Sequence, residues 1–188
     1  MISKMIDALN PLNQGMGENA MVSQEPRVAT RVACLAQRLT ERGWRLVTAE
    51  SCTGGWIAKV LTDLPGSSAW FELGLITYSH QAKIECLGVR PETLQQFGAV
   101  SAETVREMAL GALARGRAQV AIAVSGIAGP GGGSPDQPAG TVWLAWAIHS
   151  GDVPPSVVTE RSHFPGCRDE VRYQAVIHAL DGLLRRLP

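Results

Sequence analysis

Residues 48–55 read Thr-Ala-Glu-Ser-Cys-Thr-Gly-Gly, so the run Arg45-Leu46-Val47-Thr48 ends on a carboxylate, hydroxyls, a thiol and two glycines. Where a strand turns into a helix, unpaired backbone N–H groups face anything negative. Ser51 with Thr53, Gly54 and Gly55 therefore suits a nucleophile beside oxyanion donors, or an anion site. The same residues also suit a helix N-cap by Ser51 or Thr53 followed by a tight glycine turn. A second stretch, Thr77-Tyr78-Ser79-His80-Gln81-Ala82-Lys83, follows another apolar run. A lysine near a hydroxyl acts as a general base when burial lowers its pKa, and a tyrosine can relay the proton or orient the nucleophile. The alternative is a solvated Lys83 on a helix and a Tyr78 that fills a sheet edge.

The third stretch is Ser125-Gly126-Ile127-Ala128-Gly129-Pro130-Gly131-Gly132-Gly133-Ser134. Its glycines let main-chain amides approach a phosphate, although the run matches neither the P-loop nor the dinucleotide fingerprint and would also serve as a connector. Other chemistries lack their signatures. His149, His163 and His178 have no metal-ligand spacing with each other or with the cysteines. No Gly-x-Ser-x-Gly surrounds Ser51. Cys52 has no marked histidine partner and reads as a small buried thiol.

The hydrophobic pattern supplies elements to position these stretches. Val28, Val32, Leu35, Ala36 and Leu39 follow helical spacing up to Arg42-Gly43, and Trp44 to Thr48 reads as a strand. Trp56, Val60 and Leu61 suggest a helix ending before Pro65, and Leu73 to Ser79 a second strand. Pro91 to Phe97 is a short helix, and Ser101 caps another whose buried face is Val105, Met108, Ala109, Ala112 and Leu113. Gln119 to Ser125 and Thr141 to His149 are near-continuous apolar runs suited to the centre of a sheet, whereas the more polar Ser156 to Phe164 suits an edge. A last helix carries Tyr173, Ile177, Leu180, Leu184 and Leu187. The expectation is an α/β chain: a single three-layer α/β/α domain over residues 25–188, preceded by a flexible extension over 1–24. The central sheet is mixed, because no helix separates the two apolar strands.

Composition narrows the function classes. The chain has 188 residues, 17 basic and 17 acidic side chains and a pI near 6.9, so no global field favours nucleic acid or an anionic membrane. No apolar run has the length of a membrane span, no secretory pattern opens the chain, and Cys34, Cys52, Cys86 and Cys167 form no Cys-x-x-Cys pair. A cytoplasmic protein with reduced thiols is expected. Trp70 and Phe71 serve either a homodimer interface or the ordinary core.

Taken in order, Thr-Ala-Glu-Ser-Cys-Thr-Gly-Gly-Trp, Pro-Gly-Ser-Ser-Ala-Trp-Phe, Thr-Tyr-Ser-His-Gln-Ala-Lys, Gly-Ala-Val-Ser, Val-Ser-Gly-Ile-Ala-Gly-Pro-Gly-Gly-Gly and Gly-Thr-Val-Trp resemble the CinA C-terminal domain family. The resemblance is to its stand-alone nicotinamide mononucleotide deamidases and runs from about Val28 to the C-terminus. It implies hydrolysis of the carboxamide of nicotinamide mononucleotide to nicotinate mononucleotide and ammonia, in pyridine nucleotide salvage, without metal or other cofactor. It also implies Ser51 as nucleophile with Tyr78 and Lys83 as catalytic partners. Thr53, Gly54 and Gly55 would supply oxyanion donors, and Glu50 would position the carboxamide nitrogen or hold Lys83. Ser125, Gly126, Gly129, Gly131 and Gly132 would receive the substrate's phosphate, with Arg168 or Arg172 as a second candidate. A homo-oligomer such as a dimer is expected, with no nucleic-acid or membrane partner. The alternative is a catalytically silent nucleotide-binding or regulatory module of the same family.

Overall fold

A computed structural model of the chain describes residues 25–151 and 153–188; the expected extension over 1–24 lies outside the described residues. The elements are α1 (Glu25–Arg42), β1 (Leu46–Glu50), α2 (Trp56–Thr62), a 3-10 turn (Ser67–Ala69), β2 (Phe71–Ile76), α3 (His80–Leu87), α4 (Pro91–Phe97), α5 (Ala102–Gly116), β3 (Val120–Gly126), β4 (Thr141–Ile148), β5 (Ser156–His163) and α6 (Arg168–Arg186). The strand order is β2-β1-β3-β4-β5. β1 runs parallel to both β2 and β3, while β3–β4 and β4–β5 are antiparallel. The mixed three-layer sandwich matches the expectation, with β5 at an edge.

The two faces of the sheet are built differently. Val120, Ile122, Val124, Leu144 and Trp146 pack with α1, α2 and α6, whereas Ala121, Ala123, Ala145 and Ala147 pack with α5. Period-two alternation puts large side chains on one face and alanines on the other, so α5 can lie close to the sheet. The chain leaves β1 into α2 on the first face and leaves β2 into α3, α4 and α5 on the second. The connections part at the carboxyl end of β1, where open α/β sheets form ligand crevices.

Two expectations change. The first strand extends through Glu50 rather than stopping at Thr48, and the second starts at Phe71 and ends at Ile76. Trp70 is buried and Phe71, partly buried, packs against the same cluster, so both contribute to the core. Among the described residues no helix is long and apolar enough to cross a membrane.

Gly111 is required by the contact of α5 with α3, since a Cβ there would overlap the Leu87 carbonyl. Main chain cannot yield as a side-chain tip does. Gly111→Ala should therefore destabilise the protein by about 1–3 kcal/mol or more, read as a lower urea midpoint.

Candidate active site

Glu50 is buried at the end of β1 and collects five donors. Its Oε2 accepts from Thr53 Oγ1 at 2.7 Å and from the amides of Gly55 and Ile57 at 3.1 and 3.0 Å. Its Oε1 accepts from the Ala58 amide at 2.8 Å and, more weakly, from Thr48 Oγ1 at 3.4 Å. The carboxylate thus caps α2, which has no cap from its own Gly55. The expectation that Glu50 positions a substrate nitrogen or holds Lys83 is corrected by this geometry, because its oxygens are occupied by the turn and the helix.

Ser51 points the other way. Its amide donates to Val124 O at 3.0 Å, which ties the turn to β3, and its Oγ lies 3.1 Å from Lys83 Nζ. Lys83 is only 1 % exposed. It reaches Ser51 from α3, whose first turn is capped by Ser79 Oγ accepting from the Ala82 amide. Nζ also donates to Thr77 O at 2.7 Å and lies 3.4 Å from Tyr78 O. Burial pushes the Lys83 amine below the ordinary lysine pKa. A neutral amine here has N–H groups for the two carbonyls and a lone pair left for the Ser51 hydroxyl.

Tyr78 does not stand between Ser51 and Lys83. Its side chain is exposed, and its hydroxyl accepts from Arg168 Nη2 at 3.1 Å. Arg168 Nη1 donates to Gly129 O at 3.0 Å, so Arg168 joins Tyr78 to the glycine-rich loop. That loop is pinned at its base by Ile127 N donating to Thr141 O and Gly140 N to Ile127 O. The amides of Gly129, Gly131 and Gly132 donate to no protein acceptor among the described residues. Gly126 serves packing, since a Cβ would crowd Val142 and the Thr141 carbonyl. Ser125 is buried in β3, and extension of the β1–β3 register puts it beside Ser51.

Arg172, one turn after Arg168, turns inward. Its Nε donates to Cys52 O at 3.1 Å and its Nη2 to Thr53 O at 2.9 Å. It therefore grips the turn instead of lining open space for a phosphate. The sequence offered it only as a second basic residue at the start of a helix. Cys52 is buried, and burial pushes its thiol up to about 12, which leaves it no thiolate for attack. Among the described residues no group of three or more His, Cys, Asp or Glu side chains is placed to hold a metal ion.

A buried hydroxyl 3.1 Å from a buried lysine amine thus lies at the carboxyl edge of the parallel strands of this α/β fold. The family model described as "CinA C-terminal domain" matches residues 29–187, and the chain belongs to that family. It is 55% identical over 149 residues to "Nicotinamide-nucleotide amidohydrolase PncC" of Escherichia coli (strain K12), covering 79% of this chain and 88% of that protein. A protein of the same name from Pseudomonas putida is 51% identical over 158 residues, covering 84% and 96%. The crystal structure of competence damage-inducible protein A (ComA) from Klebsiella pneumoniae subsp. pneumoniae MGH 78578 superposes with a TM-score of 0.80 at 44% identity, covering 85% of this chain and 96% of that one.

Glu50→Gln tests the cap. The amide would turn an NH2 toward main-chain N–H groups that now meet a carboxylate. A stability loss of about 2–3 kcal/mol is expected in denaturant titration, since hydrogen bonds to a charged group contribute ~1.5–3 kcal/mol each and some rearrangement is available.

Proposed function

We propose that the protein hydrolyses the carboxamide of nicotinamide mononucleotide, giving nicotinate mononucleotide and ammonia in pyridine nucleotide salvage. The names of the relatives at 55% and 51% identity support this substrate, and the 3.1 Å contact between Lys83 Nζ and Ser51 Oγ carries the mechanism. Neutral Lys83 takes the Ser51 proton as Oγ bonds to the amide carbon. The carbonyl electron pair moves onto oxygen, where main-chain amides of the 51–55 turn stabilise it. Collapse of that intermediate breaks the C–N bond, and the Lys83 ammonium protonates the leaving nitrogen to give ammonia. Water then attacks the acyl-enzyme, giving its proton to Lys83. As the ester bond breaks, Lys83 returns a proton to Ser51 Oγ, releasing nicotinate mononucleotide.

Tyr78 assists at two places: its carbonyl faces the lysine amine, and its hydroxyl accepts from Arg168. The free amides of Gly129, Gly131 and Gly132, together with Arg168, form the cradle for the 5'-phosphate. No resident cofactor enters this scheme. The cytoplasm, where pyridine nucleotides are recycled, is the compartment that fits it.

A second reading is a silent nucleotide-binding module. The chain is 48% identical to a "CinA-like protein" of Akkermansia muciniphila but spans only 37% of that protein's length, so related domains stand inside longer chains. Buried Lys83 favours the enzyme, because desolvating an amine beside a hydroxyl has no use in a site that only binds.

Ammonia release from nicotinamide mononucleotide should be lost in Ser51→Ala and in Lys83→Ala while both variants still bind the nucleotide. Activity of the wild type should fall as pH drops through the lowered Lys83 pKa, because the ammonium cannot accept the serine proton. That limb should lie below the range of an ordinary lysine. Nucleotide binding without ammonia release by the wild type would select the silent module.

A further inference from the structure

The amides of the nucleophile turn can be accounted for one by one. Ser51 N donates to Val124 O, Gly54 N to Ser51 O, Gly55 N to Glu50 Oε2 and Trp56 N to Thr53 O. Only the Thr53 amide donates to no protein acceptor among the described residues, since that of Cys52 meets its own sulfur. The glycine amides expected to face the substrate oxygen are therefore committed elsewhere. The Thr53 N–H shares its peptide plane with the Cys52 carbonyl, to which Arg172 Nε donates at 3.1 Å.

We propose that Arg172 is the positioning residue that aims the Cys52–Thr53 peptide, so that the Thr53 N–H receives the oxyanion formed at Ser51. This rests on the amidase reading. In a trans peptide the C=O and N–H point in opposite directions. Fixing the carbonyl toward α6 turns the amide proton away from α6, and Ser51, two residues earlier, sets its Oγ against Lys83 Nζ of α3. The second arm of the fork, Nη2 to Thr53 O at 2.9 Å, fixes the next peptide as well, so the turn cannot rotate about one bond alone. A cationic donor on the carbonyl also polarises the peptide and strengthens its N–H as a donor.

The guanidinium is itself held. Its Cζ lies 5.3 Å from the centre of the Trp56 ring, and Nη1 lies 3.5 Å from Asp169 Oδ1. Gly54 makes room for it: φ is +63°, and a Cβ would come within 3.3 Å of Nη2. With Nε and Nη2 both spent on main-chain carbonyls, Arg172 acts on the turn rather than on substrate phosphate.

The test compares Arg172→Ala and Arg172→Lys with wild type for ammonia release and for affinity toward an aldehyde analogue of nicotinamide mononucleotide that adds reversibly to Ser51. In Arg172→Ala, kcat should fall about 100-fold with KM little changed, as for loss of an oxyanion donor. Affinity for the tetrahedral adduct should fall in parallel, and added guanidinium ion should restore part of kcat. Arg172→Lys keeps the charge and much of the packing but loses the fork, and should show the same split where the alanine variant does not fold. A folded variant with wild-type kcat, or one that loses affinity equally for substrate and adduct, overturns the proposal. The Thr53 amide proton resonance reads the Arg172 contact without turnover and should move on Arg172→Lys. An unmoved resonance overturns the positioning role even where wild type releases ammonia, whereas a shifted resonance with an inactive wild type places the failure in the amidase reading.

Discussion

The buried carboxylate of Glu50 is the constraint on which the site depends. An ionised carboxyl taken out of water is tolerable only when donors surround it, and here all five come from residues 48–58. Satisfying Glu50 therefore fixes the end of β1, the following turn and the first turn of α2 in one arrangement. Strand alternation then does the rest. The residue before the turn faces α2 and holds it, and the next residue, Ser51, faces the opposite side of the sheet and meets Lys83. Glu50 and Ser51, adjacent in sequence, face opposite sides of the sheet.

Lys83 presents the complementary problem. A lysine amine in a nearly dry place is held by carbonyls, which satisfy its N–H groups without supplying a countercharge. No carboxylate contacts it among the described residues. Pairing with an acid would raise its pKa; carbonyls orient it and leave the lowering by burial in force. Glu50 is close in sequence to Ser51 yet spends its charge on α2, which keeps the lysine free of it.

What could be read from the sequence follows from this division. The layers and the mixed sheet are written in local patterns: apolar runs at β3 and β4, a more polar run at β5, and a Ser101 cap whose Oγ accepts from the Thr104 amide. Ser51 and Lys83 stand out because hydroxyl, glycine and lysine types gather at strand ends. The first strand runs on past its apolar pattern to Glu50, a residue type that reads as loop; nothing in its type reveals that five donors return to it. Trp70 was ambiguous for a similar reason, since an aromatic after a turn has no periodicity to assign its face. Arg172 was hidden more thoroughly. On an amphipathic helix an arginine four residues after another looks like solvent-facing charge, and its carbonyl partners lie 120 and 119 positions away.

That separation ties chemistry to the completed fold. Glu50 caps α2 through contacts near in sequence. The grip on Cys52 and Thr53 exists only once α6 docks, and α6 also brings Arg168 to the glycine loop and Tyr78. Its packing side, Val171, Ala175, Val176, Ala179, Leu180 and Leu183, is fully buried against the large-residue face of the sheet. The same burial that stabilises the last helix therefore sets the positions of both arginines. Fraying of its first two turns would release the contacts of both arginines, whereas the Ser51–Lys83 contact involves no residue of this helix. The Ser51–Lys83 contact and the grip on the turn peptides are thus held by different parts of the chain, the first by β1, β3 and α3 and the second by the last helix.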